Sequence, residues 1–326
     1  MEVVMTVSDR AKALLKVTEE DYLATFSMPD LFHFMQDLGK SIGAQLGLQL
    51  SQAKKKRSGK TCQSEDYDLL DKDLLEKQAL LEAYIDQRES INKQVHPFDE
   101  KDDFTTSQQL QTKLNHSYTK IRKLAKQAQI NLNLQTGNKI INQIPDIANG
   151  VAHWVSWLRQ KTQELDLSCQ EKKWMNQCLL PFVYWQVNQT KRTRKQKDKQ
   201  LNQYYKERLT KAKQRFESDV GTISMEQNRK EQLVNWAYKK VATFHRASSR
   251  VEGRNGYLAF VHHANKGIPK KRKKVLTIIH NYDTGRADGK TPAQRLFNRD
   301  FPNLFDFVLD NIGELPKPRR GKSKST

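Results

Sequence analysis

The chain is expected to fold as a predominantly α-helical protein, on two observations. Through most of its 326 residues apolar side chains recur at intervals of three and four, the period of a helix with one buried face. Against this, a single short run, Val3, Val4, Met5 and Val7, has the apolar, β-branched character of a strand. That strand stops at Ser8-Asp9, which places an acid at its C-terminal end, where ligands collect in open α/β sheets. Ser8 or Asp9 also fits the plainer role of capping the helix read from Ala11 to Val17.

Pro29-Asp30 opens a helix whose buried face is Leu31, Phe34, Met35, Leu38, Ile42 and Leu46; Asp30, His33 and Asp37 fall on its other side. Lys54 to Arg57 with Lys60 form a basic break. Ser58-Gly59-Lys60-Thr61 is not the end of a phosphate-binding loop, because Lys54 stands where that motif requires glycine. Tyr67 to Val95 and a segment from Thr105, with Leu110, Leu114, Tyr118, Ile121, Leu124 and Ala128 at helical spacing, read as an antiparallel hairpin; a coiled coil is the alternative. Pro145 restarts a helix through Trp154 and Leu158, and another holds Trp174, Met175, Leu179 and Trp185, tryptophans expected in the core. From Lys191 to Phe216 there are eleven Lys or Arg against two acids, which reads as a solvated face or as a track for phosphates. Gly221 breaks that run, and a helix from about Ser224 carries Leu233, Trp236, Val241 and Phe244.

Ser248 to His263 is the stretch around which chemistry is expected. Projected at about 100° per residue, Glu252, Gly256, Ala259 and His263 share one stripe and Val251, Leu258 and Val261 another. Small neighbours leave a carboxylate room to meet a phosphate or a metal ion. Ser249 and Glu252 equally satisfy a capping box, in which the Glu only closes the helix start. After it come the cluster Lys270, Lys271, Arg272, Lys273 and Lys274, an amphipathic helix with Val275, Leu276, Ile278 and Ile279, a loop from Asp283 to Pro292, a last helix from Phe301 to Ile312, and a basic tail from Pro316. The loop is no EF-hand, since Thr284 and Arg286 stand where acidic ligands belong.

The net charge of +20 and pI near 9.7 favour a polyanionic partner, above all nucleic acid. Cys62, Cys169 and Cys178 are too scattered for a disulfide framework or a Cys-x-x-Cys metal site. Without an apolar run of membrane-spanning length or a secretory signal, a cytoplasmic protein that does not enter the membrane is expected.

Val251-Glu252-Gly253-Arg254-Asn255-Gly256 followed by His262-His263, with HNYDTGRADGKTPAQRLF at 280–297, resembles the C-terminal signature of a bacterial insertion-sequence transposase family, common in cyanobacteria, with a DDE-type catalytic triad. The resemblance extends to CLLPFVYWQ at 178–186, SDRAKALLK at 8–16 and MPDLFHFMQDLGK at 28–40; residues 51–177 match loosely. It implies that Asp9 and Glu252 are the second and third catalytic acids and metal ligands. It implies too that His33, Arg254, Asn255 and His263 support the site, and that the fold is a partial ribonuclease H-like α/β core, one N-terminal strand plus a C-terminal helix, carrying a large all-α insertion. The corresponding organisation is 1–50 for the second-acid strand and its helices, 51–245 for the helical insertion with the basic segment 191–216, 246–300 for the third-acid helix and C-terminal core, and 301–326 for the terminal helix and tail.

Such sites hold Mg²⁺ or Mn²⁺ on hard carboxylate oxygens, two ions about 4 Å apart stabilising in-line attack on a phosphodiester. DNA is the implied partner, with Lys191, Arg192, Arg194 and Lys195 and the Lys270–Lys274 cluster as its contacts, and a homo-oligomer on DNA is compatible with this. The family's first acid lies on a strand upstream of the second, and this sequence begins at the strand bearing Asp9. The expectation is therefore a transposase portion, inactive alone, that an upstream segment supplied in trans would complete. Two other readings compete: a non-catalytic basic helical nucleic-acid-binding protein, and a coiled-coil adaptor built on 67–130.

Overall fold

The computed structural model describes residues 3–8, 26–59, 66–192, 199–247, 269–285 and 288–312. The chain forms two compact units, Val3–Ser248 and Ser249–Thr326 together with Met1–Glu2.

The first unit begins with two short strands rather than the one expected. β1 (Thr6–Ser8) and β2 (Ser27–Pro29) pair in parallel, Thr6 opposite Ser27 and Ser8 opposite Pro29. Three residues ending in proline are too few to show a strand period, so β2 owes its conformation to long-range packing. Met28 is fully buried against the helix that contains Gly150, where any Cβ would collide with its side chain. Among the described residues this pair is the whole sheet; the helical class is as expected, and no ribonuclease H-like sheet extends beyond it.

Asp30 caps α1 (Leu31–Leu38), its carboxylate accepting from the Phe32 amide at 2.8 Å. A wide turn over Gly39–Gly43 leads into α2 (Ala44–Ser58), and Leu31, Phe34, Met35, Leu38, Ile42 and Leu46 are all buried, as their spacing predicts. A side chain at Gly43 would run into the Tyr84 ring, so glycine allows α2 to lie close on α3 (Tyr67–Gln94). α3 and α4 (Ser107–Gln127) form the expected hairpin, held near one end by Gln94 Nε2 donating to Ser117 Oγ at 3.1 Å. α5 (Leu134–Gln163) runs through Pro145 without restarting there. A mid-helix proline costs about 3 kcal/mol, but Ile140, Ile144, Ile147 and Ala148 around it are fully buried, and their packing offsets that loss. α6 (Cys169–Trp174), a second wide turn over Met175–Leu179, α7 (Leu180–Arg192), α8 (Lys199–Ser218), α9 (Val220–Ser224) and α10 (Gln227–Val241) complete the unit. Trp154, Trp174 and Trp185 are core residues, as expected.

In the second unit, α11 (Lys270–Tyr282) contacts α12 (Pro292–Phe297), and α13 (Leu304–Ile312) follows. Val275 and Ile278 of α11 are 53% and 46% exposed. The Glu252 segment lies outside the described residues. No helix among the described residues is long and apolar enough to cross a membrane.

Part of the basic run from Lys191 to Phe216 belongs to the core, contrary to a wholly solvated reading. Arg208 is 4% exposed; its guanidinium donates to the Asp102 carboxylate and to the Glu100 and Asp99 carbonyls, the last at 2.6 Å, and lies over the Trp185 ring. Asp102, at φ 63° and 2% exposed, also accepts from Trp185 Nε1 at 3.0 Å. Burial pushes its carboxyl above the usual range, opposed by Arg208, the Trp185 hydrogen bond and Arg215. Breaking a buried pair strands a charge and costs about 3–5 kcal/mol. Arg208→Ala is accordingly expected to lower unfolding free energy by that order in urea denaturation, with Arg208→Met/Asp102→Asn recovering part of the loss; single and double variants of equal stability would contradict the coupling.

Candidate functional site

The C-terminal ends of the two parallel strands form a junction made by backbone hydrogen bonds. The Asp30 amide donates to the Ser8 carbonyl at 2.8 Å, and the next amide, Leu31, donates to the Arg246 carbonyl at 2.9 Å. Consecutive peptide groups thus hold the residue before Asp9 and a residue six positions before Glu252. Ser8 Oγ and Ser27 Oγ lie 3.3 Å apart, and the buried Asp30 carboxylate is 4.0 Å from His33 Nε2.

The Arg246 side chain fixes the other side of the junction. Its guanidinium donates to the Asn92 and Val95 carbonyls at 2.8 and 3.0 Å, to Tyr205 Oη at 3.0 Å and to His96 Nε2 at 3.3 Å. Tyr205 Oη lies 2.8 Å from the same nitrogen and Tyr184 Oη 2.5 Å from His96 Nδ1. With two donors facing Nε2, the imidazole proton belongs on Nδ1, where Tyr184 accepts it.

Of the residues expected in the site, His33 sits at this junction, one-third exposed. Asp9, Glu252, Arg254, Asn255 and His263 lie outside the described residues, as do Arg194 and Lys195 and the side chains of Lys191 and Arg192. Lys270, Lys271, Arg272, Lys273 and Lys274 are exposed on the first turns of α11. Asp30, read from sequence as one of a polar face with His33 and Asp37, is instead buried at a strand end, and Asp37 pairs with Lys139 at 2.7 Å. Three residues ending in Pro29 gave no sequence signal for that strand end.

Among the described residues no three His, Cys, Asp or Glu side chains are grouped to hold a metal ion. The donors present at the junction, the Asp30 carboxylate and the Ser8 and Ser27 hydroxyls, are hard oxygens of the kind that suits Mg²⁺. The Asp30 carboxylate is taken up in capping α1, so the described residues do not by themselves make an ion site.

A separate cleft of about 660 Å³ is lined by Glu171, Trp174, Cys178, Asp219 and Arg229 among others. Its polar groups serve structure. Glu171 closes the capping box of α6, Asp219 caps α9 through the Gly221 amide, and Arg229 donates to the Asp166 carbonyl at 2.9 Å. Burial and the neighbouring Asp219, which accepts from its thiol at 3.4 Å, push Cys178 up to about 12.

In comparison with known proteins, a family described as "Family of unknown function (DUF6399)" matches residues 175–324. That span holds the CLLPFVYWQ, VEGRNG and HNYDTGRADGKTPAQRLF motifs. No curated protein and no solved structure matches the chain.

Since the thiolate is the nucleophile, Cys178 is expected to remain unmodified by iodoacetamide at pH 8 in the folded protein while the exposed Cys169 is alkylated. Peptide mass spectrometry checks this, and equal labelling of the two would refute the buried thiol–carboxylate pair.

Proposed function

We propose that this chain is the C-terminal portion of a DDE-type transposase, whose intact enzyme binds DNA and carries out metal-dependent strand cleavage and transfer. The observation that supports this reading is the junction at Asp30-Leu31. Ser8 leads directly into Asp9 and Arg246 leads towards Glu252, and both start from adjacent hydrogen bonds although most of the chain separates them in sequence. A shared carboxylate site needs that convergence, whereas a capping role for Glu252 does not.

On this reading Asp9 and Glu252 hold Mg²⁺ or Mn²⁺, which when bound supplies charge stabilisation at the scissile phosphate. Asp30 caps α1 and orients the strand end beside Asp9. His33, Arg254, Asn255 and His263 orient the acids or contact phosphate. Lys191, Arg192, Arg194, Lys195 and the Lys270–Lys274 cluster hold the DNA backbone. Arg208 is excluded from that set by its buried pairing with Asp102. A two-metal clamp needs a bridging acid, and in the family that the sequence resembles that acid comes from a strand upstream of the second one.

The test is to assay nicking of terminal-repeat DNA by the chain with and without a co-expressed upstream segment, with Mg²⁺ or Mn²⁺. Cleavage is expected only with the segment, and is expected to disappear in Asp9→Asn and Glu252→Gln variants. DNA binding that is indifferent to metal, with no cleavage in any combination, would favour the non-catalytic nucleic-acid-binding reading instead.

A further inference from the structure

α4 differs from its neighbours in charge. Its residues Ser107–Gln127 include Lys113, Lys120, Arg122, Lys123 and Lys126 and no Asp or Glu, while α3, its partner in the hairpin, carries seven acids against four bases. All five α4 cations are exposed, and none lies within 4.0 Å of a carboxylate among the described residues. The usual fate of surface cations in a folded protein is a nearby acid or an unorganised scatter; these five are neither.

Their arrangement around the helix is ordered. At about 100° per residue, Leu110, Leu114, Tyr118, Ile121 and Ala125 make the buried side. Lys113 and Lys120 then fall together on one shoulder of the exposed arc, and Arg122 and Lys126 on the other. Between them the crown is Thr112, His116, Thr119 and Lys123, side chains that hydrogen-bond. From Lys113 to Lys126 the axial distance is about 20 Å at 1.5 Å per residue.

We infer that α4 is a duplex-DNA-binding helix that lies in the major groove, its shoulders on the phosphates of the two strands and its crown towards base edges. A helix with its side chains is about 10–12 Å across, and the major groove is about 12 Å wide, so cations on both shoulders meet both phosphate rows at once. A single strand offers one row and leaves one shoulder idle. α2 extends the cationic line. It runs parallel to α4, since each is antiparallel to α3, and Gln49 Nε2 donates to the Ala128 carbonyl at 2.9 Å just past the end of α4. The exposed Lys54, Lys55 and Lys56 therefore lie further along the same direction.

This inference rests on the DNA half of the function proposed above and not on its metal chemistry, so its test is run in chelator. Binding of a fluorescent duplex of about 30 base pairs is followed by anisotropy over a salt series for the wild-type chain and for Lys113→Gln/Lys120→Gln/Arg122→Gln/Lys126→Gln. Each phosphate contact contributes about 0.9 to the slope of log K against log salt, so loss of four contacts is expected to flatten the slope by about 3 to 4. A charge-retaining variant, Lys113→Arg/Lys120→Arg/Arg122→Lys/Lys126→Arg, is expected to keep the wild-type slope, which separates charge from any effect on folding, and circular dichroism melts check that both variants are folded. An unchanged slope in the neutralised variant, absence of wild-type duplex binding, or a loss seen with single-stranded and not with duplex DNA would each overturn the assignment. Failure of the metal-dependent nicking assay would leave it standing.

Discussion

The first unit depends on Arg246 being held from both ends. Its carbonyl takes the Leu31 amide at the strand end, while its guanidinium is bound by the Asn92 and Val95 carbonyls, Tyr205 and His96. Hydrogen bonds to a charged group contribute about 1.5–3 kcal/mol where neutral ones contribute about 1. The contacts that Arg246 makes come from three separate stretches of chain. It thereby joins the end of α3, α8 and the two-stranded sheet into one construction, and any route from the helical region towards residue 252 passes through this point. His96 is the hub behind it, with Tyr184 and Tyr205 on its two nitrogens and both rings fully buried. A buried polar network of this kind fixes one arrangement because a partly satisfied alternative leaves polar groups stranded.

The second polar centre, Asp102 with Arg208 and Trp185, fastens the turn between α3 and α4 to α7 and α8. It uses a left-handed residue and a buried ion pair, both unfavourable in isolation, so the turn is held by its surroundings and not by local preference. The consequence for function is that α4 leaves this turn in a fixed direction. A helix meant to enter a groove needs such an anchored base.

What could be read from the sequence divides along physical lines. Where burial follows a helix period over many residues, as in Leu31 to Leu46 or Leu110 to Ala128, the pattern named the buried face correctly. Trp154, Trp174 and Trp185, in α5, α6 and α7, were likewise legible as core. β2 was not, because three residues ending in Pro29 carry no period and are made a strand by Val7 and by Met28 packing against Gly150. Pro145 misled for the opposite reason: local preference says break, and the buried face formed by Ile140, Ile144, Ile147 and Ala148 overrides it. Arg208 and Asp30 were hidden because charge in a sequence says nothing about burial until a partner from another segment is in place. Of the candidate site, Asp9 and Glu252 were named through resemblance alone and lie outside the described residues, and the junction of Ser8 and Arg246 with Asp30 and Leu31 could not be read from the sequence, since it consists of main-chain bonds.

The central claim is that one site draws on both Asp9 and Glu252. It is tested most directly by placing cysteines at these two positions in a chain whose Cys62, Cys169 and Cys178 are replaced by Ser, and treating the folded protein with a bifunctional thiol reagent. If both acids reach one metal pair, carboxylate and ion radii put their side chains within about 8 Å of each other. A reagent of that reach is then expected to give an intramolecular cross-link in high yield, visible as a single linked pair of peptides. Full modification of both cysteines with no cross-link would contradict the shared site and leave Glu252 to the capping of its own helix.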